Sequence, residues 1–168
     1  MPQTAPSRLD LKIPPPLVGA LAAAAMYALA AWMPLTPLPL SFGLTLPLPP
    51  AVRTAAAWAL AAVGLGFDGA AIAAFLRAKT TISPLSPHNT RSVVTSGVYR
   101  LTRNPMYLGM VLLLLGWAVY LGSGWALLGP VGFVGYINRF QIKPEERALA
   151  AHFGSSYAAY RRSVRRWL

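Results

Sequence analysis

The chain contains no cysteine. That excludes a disulfide framework, a thiolate nucleophile and any Cys-ligated metal. Acid is nearly as scarce: Asp10, Asp68, Glu145 and Glu146 are the four carboxylates, against 15 Lys+Arg. Histidine occurs only at His88 and His152, isolated in sequence, so a metal site lacks ligands and no metal is expected. Charged residues make up 11% of the chain, where soluble domains run to about 25%. What fills the chain instead is apolar sequence, 55% of all residues, with mean hydropathy +0.49. That is the composition of a membrane protein. A net charge of +11 would suggest nucleic acid in a soluble domain. Here the basic residues flank apolar runs instead of forming one stripe, so nucleic acid is not an expected partner.

The apolar runs predict an all-α integral membrane protein with four transmembrane helices. The first covers about Leu17 to Met33, the second about Ala51 to Ala78, interrupted by Asp68. The third covers about Pro105 to Leu121 and the fourth about Gly124 to Ile142. At 1.5 Å per residue the first and third reach roughly 26 Å, enough for a thin ~30 Å hydrocarbon core. The basic-then-apolar order at the N-terminus also fits a signal peptide, but the first run exceeds a usual signal core, so a retained helix is expected. Pro34 to Pro50 has no charge and too many prolines for a regular helix, and is expected to lie across the membrane surface. Only Gly122-Ser123 joins the last two spans, which forces an antiparallel hairpin.

Charge sets the orientation. Arg8 and Lys12 precede the first span. Arg77, Lys79, Arg91, Arg100 and Arg103 follow the second, and Arg139, Lys143, Arg147, Arg161, Arg162, Arg165 and Arg166 follow or end the fourth. The positive-inside rule places both termini and the loop at 79–104 in the cytoplasm. The chain thus reads as one domain: a cytoplasmic arm at 1–16, two spans within 17–78 and a C-terminal half at 79–168. After Pro144, the residues Leu149, Phe153, Tyr157, Tyr160, Val164 and Trp167 recur every three or four positions among arginines. That predicts an amphipathic C-terminal helix at the interface, packed on the bundle or the headgroups.

The chemistry-bearing candidates each have two readings. Arg103-Asn104-Pro105-Met106-Tyr107 is an ordinary helix start, with Asn as N-cap and Pro as first residue. Its functional reading is an anion site made of free N–H groups and a guanidinium. Glu145 and Glu146 offset a helix dipole, or else offer a counter-charge to a sulfonium or amine. Asp68 in mid-membrane is either satisfied structurally or functional. Gly64-Leu65-Gly66 before it permits helix packing or close approach of a ligand. Thr80-Thr81-Ile82-Ser83-Pro84 and Thr95-Ser96-Gly97 read as a solvated linker or as hydrogen-bonding groups for a polar ligand.

Taken in order, Thr80-Thr81-Ile82-Ser83-Pro84, Thr95-Ser96-Gly97-Val98-Tyr99-Arg100, Arg103-Asn104-Pro105-Met106-Tyr107-Leu108-Gly109, Glu145-Glu146, Phe153-Gly154, Tyr157, Tyr160 and Val164-Arg165-Arg166-Trp167 carry a resemblance. The set resembles the superfamily of isoprenylcysteine carboxyl methyltransferases and phospholipid methyltransferases, which are small integral membrane enzymes. The resemblance covers residues 79–168. It implies S-adenosylmethionine as methyl donor, held near the cytoplasmic face by Tyr99, Arg100, Asn104, Pro105, Gly109, Glu145 and Glu146. It further implies catalytic roles for Arg103, Tyr107 and Glu146, and contact of Arg103, Tyr157 and Arg165 with the substrate. Many relatives have His where this chain has Asn104, so no imidazole acts there.

The implied acceptor is lipid-like, with its apolar tail between helices and membrane lipids around it. A carboxylate acceptor is already nucleophilic and needs no base, whereas an amine must give up a proton, to Glu146 for example. Carboxyl O-methylation of an isoprenylcysteine-type substrate is the expected reaction. N-methylation of a phospholipid amine is the second reading. A non-catalytic protein that binds lipid or a partner is the third.

Overall fold

Proline opens each of the first three helices. The computed structural model, which describes residues 10–32, 48–78 and 93–168, begins α1 at Pro15, α2 at Pro50 and α3 at Pro105. At a first turn the missing N–H costs nothing and the fixed φ suits a helix. Helix α1 spans Pro15–Trp32, α2 Pro50–Arg77 and α3 Pro105–Leu121. Gly122, at φ +66°, closes α3 with its N–H on the carbonyls of Ala118 and Val119, a left-handed conformation that glycine adopts without a Cβ penalty. The described residues are all helix, turn and connector. The expected surface segment Pro34 to Pro50 falls largely outside them, as do Arg8, Lys79, Arg91, His88 and Thr80 to Pro84.

Helices α1 and α2 are long and apolar enough to cross a membrane, and α3 is a shorter apolar helix. The fourth predicted span differs from expectation. Instead of one helix from Gly124, a 3-10 turn covers Gly124–Leu127, α4 covers Leu128–Ile137 and a π turn covers Asn138–Ile142. Helix α5, Lys143–Ser163, follows without a break. The physical cause of the π turn is Pro144. Inside a helix, proline removes one donor and crowds the carbonyl four residues back, here that of Phe140. The π turn gives the ring room, and the Phe140 carbonyl accepts the Leu11 N–H at 3.0 Å. Asp10, beside Leu11, pairs with Arg147 at 2.9 Å and Arg139 at 3.7 Å. The arm before α1 is thereby tied to this turn.

Small residues bring α2 and α3 together. A Cβ added at Gly64 would stand 2.7 Å from the Gly109 carbonyl oxygen, and one at Gly116 would stand 2.9 Å from that of Ala57. Gly64 is therefore a packing glycine, while Gly66 faces open space. Close backbone approach of this kind is how helices associate where apolar area alone gives no drive. Gly116→Leu is expected to cost about 1–3 kcal/mol by overpacking, read as a lower thermal midpoint in detergent.

Two cores follow. Met26, Tyr107, Leu114, Ala118, Ala126, Phe133, Ile137 and Ile142 pack α1 and α3 against α4. Ala71, Ala74, Val94, Tyr99, Tyr157 and Tyr160 pack the end of α2 against a 3-10 turn at Gly97–Arg100 and against α5. The aromatic stripe of α5 thus faces the bundle. Gly154, at φ +51° and ψ −119°, interrupts the helix, and the helix ends at Ser163, so Val164 and Trp167 lie beyond it, although Val164 still packs on this core and Trp167 on the first.

Candidate functional site

Residues 164–168 leave the helix and run along the turn that precedes α3. The Arg103 N–H donates to the Arg165 carbonyl at 3.0 Å. Thr102 Oγ1 and Asn104 Nδ2 both donate to the Arg166 carbonyl, at 3.1 and 2.8 Å. Trp167 Nε1 donates to Asn138 Oδ1 at 3.2 Å. The Asn104 side chain therefore pins the C-terminus and does not cap α3, as the N-cap reading had expected; no side-chain cap bond is made there. The backbone donors of 103 and 104 are likewise engaged, the second by Thr102 Oγ1 at 3.1 Å.

This strap delivers a guanidinium to the acidic pair. Arg166 holds Glu146 with both oxygens, Nη2 to Oε2 at 2.6 Å and Nε to Oε1 at 3.1 Å. Arg103 Nη2 reaches the same carboxylate at 3.0 Å. Bidentate Arg–carboxylate pairs are the strong ones, and two of the three side chains are about nine-tenths buried, Arg103 and Glu146 at 10% exposure each. The Glu146 bond also raises the Arg166 pKa. Arg103 is not used up, because its buried Nε and Nη1 have no partner among the described residues. Buried guanidinium donors without acceptors are costly, and an anion is what would satisfy them.

Glu145 is held differently. Its Oε1 accepts the Tyr107 hydroxyl at 2.7 Å, and no cation pairs with it among the described residues. Burial above all, and the neighbouring Glu146, raise its pKa to about 8 against the lowering effect of the Tyr107 bond. Both acids were open to a dipole reading. The continuous helix through 142–143 removes that, since the N–H groups of a first turn are not free there. One carboxylate is clamped by two cations and the other stands beside tyrosines. Tyr157, buried in the second core, is pushed up to about 12, by burial first and then by the Glu146 charge. Tyr99 is raised further for the same first reason, and its carbonyl accepts the Tyr160 hydroxyl at 2.7 Å.

The structure brings Arg103, Tyr107, Glu145, Glu146 and Tyr157 into one electrostatic neighbourhood, with Tyr99 beside it. Pro105 is buried at the head of α3. Gly109 lies elsewhere, on the α2–α3 crossing, where a Cβ would strike the Asp68 carboxylate. Arg100 is exposed. Arg165 is exposed too and contributes its backbone carbonyl. Arg166, not singled out from its neighbours by periodicity, is the arginine that enters the cluster. No local signal distinguishes it, because the helix expected there would have pointed Arg165 and Arg166 alike to water.

A family model described as phospholipid methyltransferase matches residues 52–156, from the first turn of α2 into α5. An uncharacterised protein of Haemophilus influenzae is 48% identical over 63 residues, 38% of this chain and 100% of that protein. No solved structure matches. With more than half of the chain matched, including both carboxylates and Arg103, the protein belongs to the phospholipid methyltransferase family, within the integral membrane methyltransferases.

Proposed function

We propose that the protein is an S-adenosylmethionine-dependent methyltransferase acting on an amine at the polar end of a lipid-like acceptor. The observation that carries this is the unequal treatment of the two carboxylates: Glu146 is saturated by two guanidiniums, Glu145 by one hydroxyl. The cofactor's carboxylate would be held by the orphaned Nε and Nη1 of Arg103. Its cationic groups would meet Glu145 and the rings of Tyr99, Tyr107 and Tyr157. When bound, the cofactor supplies an electrophilic sulfonium methyl group.

The chain's own part is protonic and positional. An amine acceptor arrives largely as ammonium, and Glu145 takes its proton, leaving a neutral nitrogen lone pair. Because the Tyr107 hydroxyl occupies Oε1, the proton goes to Oε2. A carboxylate with a pKa near 8 is better matched to that task than an ordinary glutamate. The strap and α5 would cover one side of the bound cofactor. Four spans, with both termini and this site cytoplasmic, remain our topology; the basic residues around the site and the apolar length of α1 and α2 support it.

Glu145 must be ionised to accept a proton, so kcat/KM is expected to rise from pH 7 to 9 with a midpoint near 8. Glu145→Gln should flatten that profile. Stability should move the other way. The folded state favours the protonated acid, so the contribution of Glu145 to stability is fully present below the ordinary glutamate pKa and is lost as pH rises through about 8; the difference in thermal midpoint between wild type and Glu145→Gln reads it. A pH-independent rate would remove Glu145 from the proton step.

Carboxyl O-methylation is a second reading, favoured by the same two free donors of Arg103 if they hold the acceptor's carboxylate instead. Labelled methyl transfer to an aminophospholipid and to a farnesylated cysteine analogue decides between them. Base-stable label marks an N-methyl product and base-labile label an ester. Calorimetry with S-adenosylhomocysteine tests the enzyme reading itself: absence of binding would leave a lipid- or partner-binding protein.

A further inference from the structure

Two acids take no part in this chemistry, and of these Asp10 is paired with Arg139 and Arg147 whereas Asp68 has no cation partner among the described residues. Asp68 stands in α2 opposite Gly109, the fifth residue of α3, hence about one helical turn inside the start of that helix. It borders a cavity of about 330 Å³ lined by Pro16, Gly19, Ala20 and Ala23 of α1 and by Met110, Leu113, Leu114 and Trp117 of α3. That volume is at the lower end of ligand pockets, about 300–1,000 Å³. Apart from Asp68 and the Trp117 indole N–H, which already donates to the Ala23 carbonyl at 3.1 Å, every lining side chain is apolar. From Met110 to Trp117 the wall of this slot runs about 10 Å along α3, with the one charge at the end nearer the start of α3.

Asp68 Oδ1 is buried and has no hydrogen-bond partner, and no cation pairs with Asp68 among the described residues. An acid in a span is costly unless it is paired. The α2–α3 crossing nonetheless makes room for it: a Cβ at Gly109 would meet Asp68 Oδ1 and Cγ. We propose that the slot binds the hydrocarbon chain of a membrane amphiphile that ends in a protonated amine, with Asp68 as its counter-charge. The slot and the charge together fix the class: the walls take a single apolar chain, and the acid rejects an anionic end and rewards a cationic one. The slot stands apart from the Glu145 cluster, so its occupancy does not rest on the methyl-transfer reading.

The test is photolabelling in phosphatidylcholine nanodiscs, without cofactor, using one diazirine-bearing alkyl chain with three ends: amine, alcohol and carboxylate. The amine is expected to label 16–23 and 110–117 saturably, with competition by hexadecylamine and not by hexadecanoate. Asp68→Asn, nearly isosteric, should weaken amine labelling at least about tenfold, as loss of a partly buried charge partner does. Ala20→Phe, on an exposed position of α1, should block all three probes. Equal labelling by the three ends, or an unchanged Asp68→Asn, overturns the proposal and leaves Asp68 as a packing group. Calorimetric binding of S-adenosylhomocysteine, measured on the same samples, stands or falls separately.

Discussion

Glu146→Gln is expected to abolish cofactor affinity and to loosen the C-terminal strap in one step. The carboxylate lies between Arg103 and Arg166, so the amide leaves two guanidiniums facing each other with no anion between them. Breaking a buried pair costs about 3–5 kcal/mol; the lower end applies, since Arg166 is 32% exposed. The helices that insert are made of other residues, so the variant should reach the membrane and keep its helical content. Calorimetry with S-adenosylhomocysteine, together with protease sensitivity of the last residues, reads both consequences. Unchanged affinity with an intact strap would show that the clamp neither orders Arg103 nor holds the tail. Arg103→Ala separates the two effects. It removes the free donors while Arg166 still holds Glu146, so affinity should fall and the strap should stay.

Ending the chain at Ser163 is expected to lower turnover by about a hundredfold or more, equivalent to about 2.7 kcal/mol. The five residues lost carry the bidentate Arg166, the acceptors for Arg103 N–H, Thr102 and Asn104, and the Trp167 indole. The family match stops at residue 156, and the truncation asks whether what lies beyond it is part of the site. Arg165→Ala provides the contrast. Its side chain is exposed and only its backbone carbonyl is used, so turnover should stay within about twofold, as surface substitutions usually do. Equal loss from Arg165→Ala and Arg166→Ala would mean that the side chains act on the substrate and that Arg166 is no clamp.

Periodicity and composition alone reached much of the architecture. Apolar runs bounded by proline and closed by Gly122 predicted α3 to the residue, and α1 and α2 to within two residues at their starts. A helix along an apolar run has no competitor, because every backbone group must be satisfied internally in lipid. The fourth span was less legible. Its departure at the C-terminal end comes from Pro144 acting through a helix that continues past it, and an apolar run ending near a proline looks the same whether the helix stops or bulges. The amphipathic spacing after Pro144 was read correctly for Tyr157 and Tyr160. It failed for helix beyond Ser163, where Arg165 and Arg166 pair with residues 102–104, about sixty positions upstream, instead of continuing the helix.

For the site, local chemistry named Arg103, Tyr107, Glu145 and Glu146, because scarce acids among many arginines stand out in any listing of the chain. Their grouping followed from the short Gly122-Ser123 link. What tertiary structure alone decided is which arginine meets which acid. Asn104 changes from cap to clasp, Gly109 from ligand neighbour to the space beside Asp68, and Arg166 supersedes its twin at 165. Residue type and spacing set the strength and number of charges available. Only the fold assigns a desolvated partner to each, because pairing energy depends on distance and burial, and neither is written in the order of residues.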